Sequence, residues 1–353
     1  MNILLTSAGR RSYIVKYFKD AIGSAGKIFA SNSEWSIAMA EADEAFITPL
    51  IYDKEYIPFL LKICKEKKIS VILSLFDIDL LILAKNKELF RENGIRIILA
   101  SEDFVRTCND KFKTYQFLKQ NNLNAPRTYL SYKETVLALE RNEITFPIVI
   151  KPRWGMASLG IYYADNWDEL RVLSEKSKKD VFNSYLKYES SSTPNNSILF
   201  QEKLSGKQYG LDILNDLKGN YIKTFAKEKV KMRAGETDIG LTVSSEQFEY
   251  ISRTISEASR HEGILSVDCF VSDLGEISIL EMNCRISGHY PLSHLAGFNY
   301  PKALLCMISN IPIPDCLLGF KTGLSITKDL VPTIIPKSPL EITNSIDDFG
   351  FIF

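Results

Sequence analysis

The 353-residue chain has no surplus of either charge, since 43 lysines and arginines face 43 aspartates and glutamates. Without a basic surplus nothing would track a phosphate backbone or an anionic lipid surface, so no nucleic-acid and no membrane partner is expected. Long apolar runs are missing as well. The most apolar window, Ile69–Ala84, is interrupted by Asp77 and Asp79, which argues against a membrane span. The N-terminal apolar stretch is too short for a signal-peptide core, and its basic residues follow it, so no secretory leader is expected. The six cysteines, at positions 64, 108, 269, 284, 306 and 316, form no C-x-x-C pair, which excludes a zinc framework and points to a reducing cytoplasm. There is no Walker A motif, no G-x-G-x-x-G and no G-x-S-x-G elbow, and none of the three histidines is placed as an obvious general base. What is present is ordinary globular composition, 45% hydrophobic and 24% charged, in a chain long enough for two or three domains.

Strand and helix patterns alternate from the start. Asn2–Thr6, Lys27–Ser31, Val71–Leu75 and Ile95–Ala100 read as buried strands, with amphipathic helices through about Ala21, over Ile57–Lys67 and over Leu80–Glu92. This spacing predicts a parallel, doubly wound Rossmann-like domain over residues 1–100. A mixed α+β region follows, with a strand ending at Lys151, a Gly-bearing loop at 153–161 and a polar, turn-rich stretch over Lys187–Asn196. Further strands are expected at Ser197–Glu202, Gly210–Asn215, Ile222–Lys227 and within Leu265–Met282. The fold class is thus α/β followed by α+β with a largely antiparallel sheet.

The strongest local signal is a hairpin from Ser266 to Asn283. If Leu274-Gly275 forms a two-residue turn, Asp268 lies directly opposite Glu281, and Asn283 shares their face. Two facing carboxylates repel unless a cation relieves them, and Asp, Glu and an Asn amide are hard oxygen ligands suited to Mg²⁺. Taken alone, the same residues fit a solvent-facing strand equally well. Arg285, two residues on, is placed to grip phosphate. Lys151 ends a strand ahead of a loop whose backbone can fold over phosphates, and Gln201-Glu202-Lys203-Leu204 ends another before a Gly turn. In isolation the first is a hairpin loop and the second a β-turn.

In order and rough spacing, however, Asn109-Asp110-Lys111, Val149-Ile150-Lys151-Pro152, the loop 153–161, Gln201–Leu204, Val267-Asp268 and Glu281-Met282-Asn283-Cys284-Arg285 together resemble the ATP-grasp superfamily. Thr6–Arg11 and Gly288…Ala296-Gly297-Phe298-Asn299 resemble its carbamoyl-phosphate-synthetase-like, single-chain carboxylate–amine ligase branch. The resemblance implies a pre-ATP-grasp domain at 1–100, a central subdomain at 101–185 and a C-terminal subdomain at 186–353, with nucleotide bound between the two subdomains. It implies that Lys111 and Lys151 hold phosphates, that the loop around Ser158 closes over them, and that Glu202 and Leu204 meet adenine through their backbone. Gln208 stands where relatives often carry a ribose-binding glutamate. Asp268, Glu281 and Asn283 would hold two Mg²⁺ ions, with Mn²⁺ a possible substitute, and Arg285 and Arg233 would stabilise the transferring phosphoryl group.

The expected chemistry is attack of a carboxylate on ATP to give an acylphosphate and ADP, then displacement of phosphate by an amine. A kinase on the same fold and a non-catalytic nucleotide binder are the alternatives. For the small-molecule substrate, Gly9 and Arg10 at the opening of the first helix offer an anion site, and Asp77 at the same sheet edge offers a partner for an amine. An amino acid or a sugar acid would suit that pairing, and a homodimer is open.

Overall fold

The computed structural model describes residues 1–155, 159–233, 235–329 and 331–332. The runs Ile3–Leu5, Ile28–Ala30 and Val71–Leu73 are fully apolar and buried, as parallel strands covered by helices on both faces require. They form β1 (Asn2–Thr6), β2 (Lys27–Asn32) and β4 (Val71–Ser74), joined by β3 (Glu44–Ile47) and β5 (Arg96–Ile97) in a parallel sheet of order β3-β2-β1-β4-β5. The edge strand β3 was not expected, because none of its four residues is buried and it carries no apolar run. The helix anticipated over Leu80–Glu92 begins three residues earlier and breaks at Asn86, giving helices Asp77–Lys85 and Lys87–Glu92.

A second sheet holds β6 (Thr128–Tyr129), β7 (Ile148–Pro152), β8 (Tyr162–Ala164) and β9 (Ile198–Glu202) in the order β6-β9-β7-β8. Since β9 completes this central sheet, the structural divide falls after Glu202 rather than at 185–186. The segment expected as a plain loop over Lys187–Asn196 contains a short helix, Lys187–Ser190, and a single 3₁₀ turn, Pro194–Asn196. The third sheet is antiparallel, with β10 (Lys207–Asn215), β11 (Tyr221–Arg233), β12 (Glu236–Val243), β13 (Gly263–Val271), β14 (Ile277–Asn283) and β15 (Ser325–Thr327) in the order β14-β13-β10-β11-β12-β15. β11 runs past the expected end at Lys227 to Arg233.

The apolar cores show which sheets pack together. One continuous apolar cluster runs from Leu4, Phe29 and Ile72 of the first sheet through Leu80 and Phe104 to Leu211, Leu265 and Met282 of the third. The central sheet has its own core, built on Ile148, Ile150, Leu170 and Phe200. Its link to the first domain is polar and aromatic: Tyr52 stacks on Tyr188 at 4.6 Å between ring centres and donates to Glu189 at 3.0 Å.

β1 and β4 are where the strand order reverses direction, the usual ligand edge of such a sheet. Here that edge holds Asp79, wholly buried, which accepts hydroxyl hydrogen bonds from Thr6 (2.5 Å), Ser74 (2.7 Å), Tyr56 (2.7 Å) and Ser7 (3.1 Å). Burial raises its carboxyl, while the four donors oppose the shift. Asp79 therefore ties two strand ends and two connecting segments together. Asp79→Ala should strand three buried hydroxyls and cost about 3 kcal/mol, read as a lower urea midpoint at unchanged slope; a loss below about 0.5 kcal/mol would show that the hydroxyls find other partners.

Candidate active site

The hairpin places its residues as expected, but by a different route. The loop is Asp273-Leu274-Gly275, closed by Ser272 N–H to Glu276 O at 2.9 Å, with Gly275 at φ +82°. A three-residue loop shifts the register by one, and a bulge at Leu280 shifts it back, so Asp268 pairs with Glu281 and Ser266 with Asn283. On the other side Asp268 pairs with Gly210. Gln208, two residues before Gly210, shares that face, and so does Lys227, the partner of Gly210 on β11.

The two facing carboxylates have separate partners. Asp268 Oδ2 lies 2.6 Å from Lys229 Nζ, and Asp268 Oδ1 lies 3.6 Å from His289 Nε2 with no hydrogen bond. Burial pushes the Asp268 carboxyl up, but Lys229 and His289 pull it well below the usual range. Glu281 makes no hydrogen bond or ion pair among the described residues, and its field acts on Lys151 and Arg285. Glu281 and Asn283 line a cavity of about 30 Å³ together with Asp77, Asn109, Lys111, Gly155 and Glu189. Two adjacent oxygen donors facing a cavity beside a lysine fit a Mg²⁺ ion. Asp268 is held by Lys229 through Oδ2 only, and it is not among the residues that line that cavity.

Two of the expected cations, Lys111 and Lys151, lie near one another. Lys111 opens the helix Lys111–Gln120 and donates to the Gly155 carbonyl of the Gly-bearing loop. Asp110 caps that helix and is gripped through both oxygens by Arg153 at 2.8 and 2.6 Å, fixing the loop's start against the helix. Lys151, on β7, is only 4% exposed and has no ion pair among the described residues. Burial first, then Lys111, push its ammonium down to about 7 against the pull of Glu281. Ser158 lies outside the described residues. Glu202 and Leu204 line a second cavity of about 390 Å³ with the segment 143–147. The Glu202 N–H is already bonded to Arg127 O at 3.0 Å, so any backbone contact from Glu202 must use its carbonyl.

Four expectations are corrected. Arg285 grips Asp77 through Nε and Nη2 at 2.8 and 2.6 Å, so the fork expected on phosphate is closed on a carboxylate. Asp77 is for the same reason engaged by a guanidinium, not open to an amine. Arg233 is half exposed and pairs with Asp238 at 2.6 Å, outside the cavity. Arg10, after Gly9 at φ +54°, is exposed and makes no contact among the described residues. Arg11 turns inward instead, donating to Leu75 O at 2.8 Å and Ile286 O at 3.1 Å.

The sequence reading missed Lys229, Arg153, Arg11 and the buried Asp212–Lys227 pair. Extending β11 two residues by period-two counting would have placed Lys229 on the face of Lys227. His289, Cys269 and Cys284 are buried, with Cys284 Sγ 3.3 Å from Cys108 Sγ, and His294 stacks on Tyr17.

Comparison with known proteins places the chain in a family. Residues 108–289, just over half of the chain, match the ATP-grasp domain family, and residues 3–98 match the family described as PylC-like, N-terminal domain. The chain belongs to the ATP-grasp family. It is 26% identical over 290 residues to the carbamoyl phosphate synthase large chain of Haemophilus ducreyi, covering 76% of this chain and 25% of that one. The arginine-specific large chain of Bacillus subtilis is 24% identical over 256 residues, covering 70% and 22%. The chain thus spans about a quarter of the length of these relatives. By fold it is similar to the biotin carboxylase domain of Hydrogenobacter thermophilus 2-oxoglutarate carboxylase, solved as a dimer with MgADP and bicarbonate (TM-score 0.69, 17% identity, 88% of this chain and 70% of that one). It is also similar to N5-carboxyaminoimidazole ribonucleotide synthetase of Thermotoga maritima (TM-score 0.64, 20% identity, 92% and 79%). No helix among the described residues is long and apolar enough to cross a membrane.

Lys151 makes the pH dependence specific. A bound phosphate favours its ammonium form, so above pH 7 nucleotide binding should take up a proton and affinity should fall as pH rises. Calorimetry at pH 8 in buffers of different ionisation enthalpy should show uptake of roughly one proton in the native protein and none in Lys151→Met. Equal uptake in both proteins would place Lys151 away from the phosphates.

Proposed function

We propose that the chain is an ATP-dependent carboxylate–amine ligase. The supporting observation is Lys151, a buried ammonium without an anion, set beside Lys111 and the unpartnered Glu281 at the junction of the sheets. A buried cation without a counter-charge is costly in the free protein, and a polyphosphate supplies the missing charge. Lys111 and Lys151 hold the α- and β-phosphates, and the Gly-bearing loop, anchored through Arg153 on Asp110, covers the β- and γ-phosphates. Glu202 and Leu204 meet adenine and Gln208 the ribose.

Glu281 and Asn283 would hold Mg²⁺, with Mn²⁺ as a substitute, which supplies neutralising charge as two anions approach. The substrate carboxylate displaces ADP from the γ-phosphorus, giving an acylphosphate. An amine then adds to the acyl carbon and phosphate leaves, forming the amide. Arg285 fixes the strand end that carries Asn283 by its bond to Asp77, rather than reaching the phosphoryl group itself. The acceptor is a small carboxylate, an amino acid or a sugar acid, and a homodimer is the assembly to test first.

The test is release of ADP and phosphate with Mg²⁺-ATP against amino acids and sugar acids, offered singly and in pairs. Release that needs both a carboxylate and an amine is expected, and a phosphorylated product without free phosphate would instead identify a kinase. Glu281→Ala should lower turnover about 10³-fold while keeping the thermal midpoint; near-native turnover would remove the metal role of Glu281.

A further inference from the structure

Asp268 and Glu281 are neighbours on one sheet face, but Glu281 has no side-chain partner among the described residues whereas Asp268 is paired through Oδ2 with Lys229. The space beside Asp268 is closed from two sides. Gly210, its partner on β10, has no side chain, and a Cβ there would meet the His289 ring at 2.8 Å. Through that gap His289 sits against Asp268 Oδ1, with its Nε2 also 3.0 Å from Ser266 Oγ. Lys229 reaches over from β11 to Oδ2 at 2.6 Å, and its side chain is buried.

We propose that the Lys229 ammonium takes the place of a second divalent cation at Asp268, so that this centre holds a single metal ion, at Glu281 and Asn283. The inference rests on the ligase reading above. Its force comes from what displacing Lys229 would require. Lys227, two residues earlier on the same face, is wholly buried and already paired with Asp212, and the two ammoniums repel each other. An ion on Asp268 would leave Lys229 a buried cation beside the ion itself and beside Lys227, whose own carboxylate, Asp212, is already engaged. Lysine is suited to the exchange because its compact ammonium carries three donors, one for Asp268 and two that can face phosphate. The charge that a second Mg²⁺ would bring is in this way built into the chain.

Equilibrium dialysis with Mn²⁺ and a non-hydrolysable ATP analogue counts ions per bound nucleotide. The native protein should retain one Mn²⁺, and Lys229→Met, which frees Asp268, should retain two. Asp268→Asn in the native background should still retain one, as should the double variant Lys229→Met/Asp268→Asn, which removes both buried charges together and keeps the test open if the single lysine variant does not fold. Two Mn²⁺ in the native protein, one in a folded Lys229→Met, or loss of the ion in Asp268→Asn would each overturn the proposal. Nucleotide bound with no Mn²⁺ at all would fail differently, by removing the metal role of Glu281 and Asn283 and with it the reading on which the proposal stands.

Discussion

A lysine ammonium taken out of water needs an anion, and this chain buries three of them near one another. Lys227 has Asp212, at 0% exposure on both sides, and Lys229 has Asp268. Lys151 has none among the described residues, and it alone of the three sits on the central sheet, across from the other two. The pairings on β10, β11 and β13 are internal to one rigid sheet and complete without a ligand. No carboxylate among the described residues pairs with Lys151, and on the ligase reading proposed above a phosphate between the sheets would supply that partner. That constraint orders the rest: the cavity, the loop start clamped by Arg153, and the free carboxylate of Glu281 all lie around the one unpaired cation.

The same logic explains why Arg285 and Asp77 are paired. Asp77 comes from the first domain and Arg285 from the end of β14, 208 residues apart in sequence, and both are nearly buried. Two parallel hydrogen bonds fix the guanidinium plane against the carboxylate, so the end of β14 is held in position by the first domain. Asn109 Nδ2 to Asp77 O at 2.9 Å and the Cys108–Cys284 contact add further ties at the same point. The first domain therefore acts on the site as a support. At its own sheet edge Asp79 and its hydroxyls close one side, while Asp77 and Ile78 beside them line the cavity.

Much of this was legible in the sequence because the signals were local. Period-two alternation and one glycine were enough to put Asp268 opposite Glu281, and the alternative turn left that pairing intact only because the bulge at Leu280 compensated for it. The parallel sheet followed from buried apolar runs spaced by helices. What was not legible depends on distance. Nothing in Leu80–Glu92 announces a break at Asn86, and nothing near Arg285 announces Asp77. Arg10 and Arg11 look alike in sequence, yet one is exposed in the turn after Gly9 and the other, at the residue before the helix, reaches two carbonyls on different domains. Lys229 was hidden for a simpler reason: the strand was ended too early, at the last residue of its apolar stretch.

The cavity between the sheets, about 30 Å³, is far below the several hundred Å³ that a nucleotide fills. Admission of a triphosphate therefore requires the surfaces around Lys111, Gly155 and Glu281 to separate. The cores say where. The first and third sheets share one apolar cluster, so parting them would expose it to water, while the central sheet closes on its own core and meets the first domain through Tyr52, Tyr188 and Glu189. A stacked ring pair and one hydrogen bond at the surface are worth only about 1–3 kcal/mol. Separation there would also break the Arg153–Asp110 and Lys111–Gly155 ties, and it would leave Lys151 an unpaired ammonium away from Glu281. A charge of that kind makes closure favourable when phosphate is present and costly when it is not.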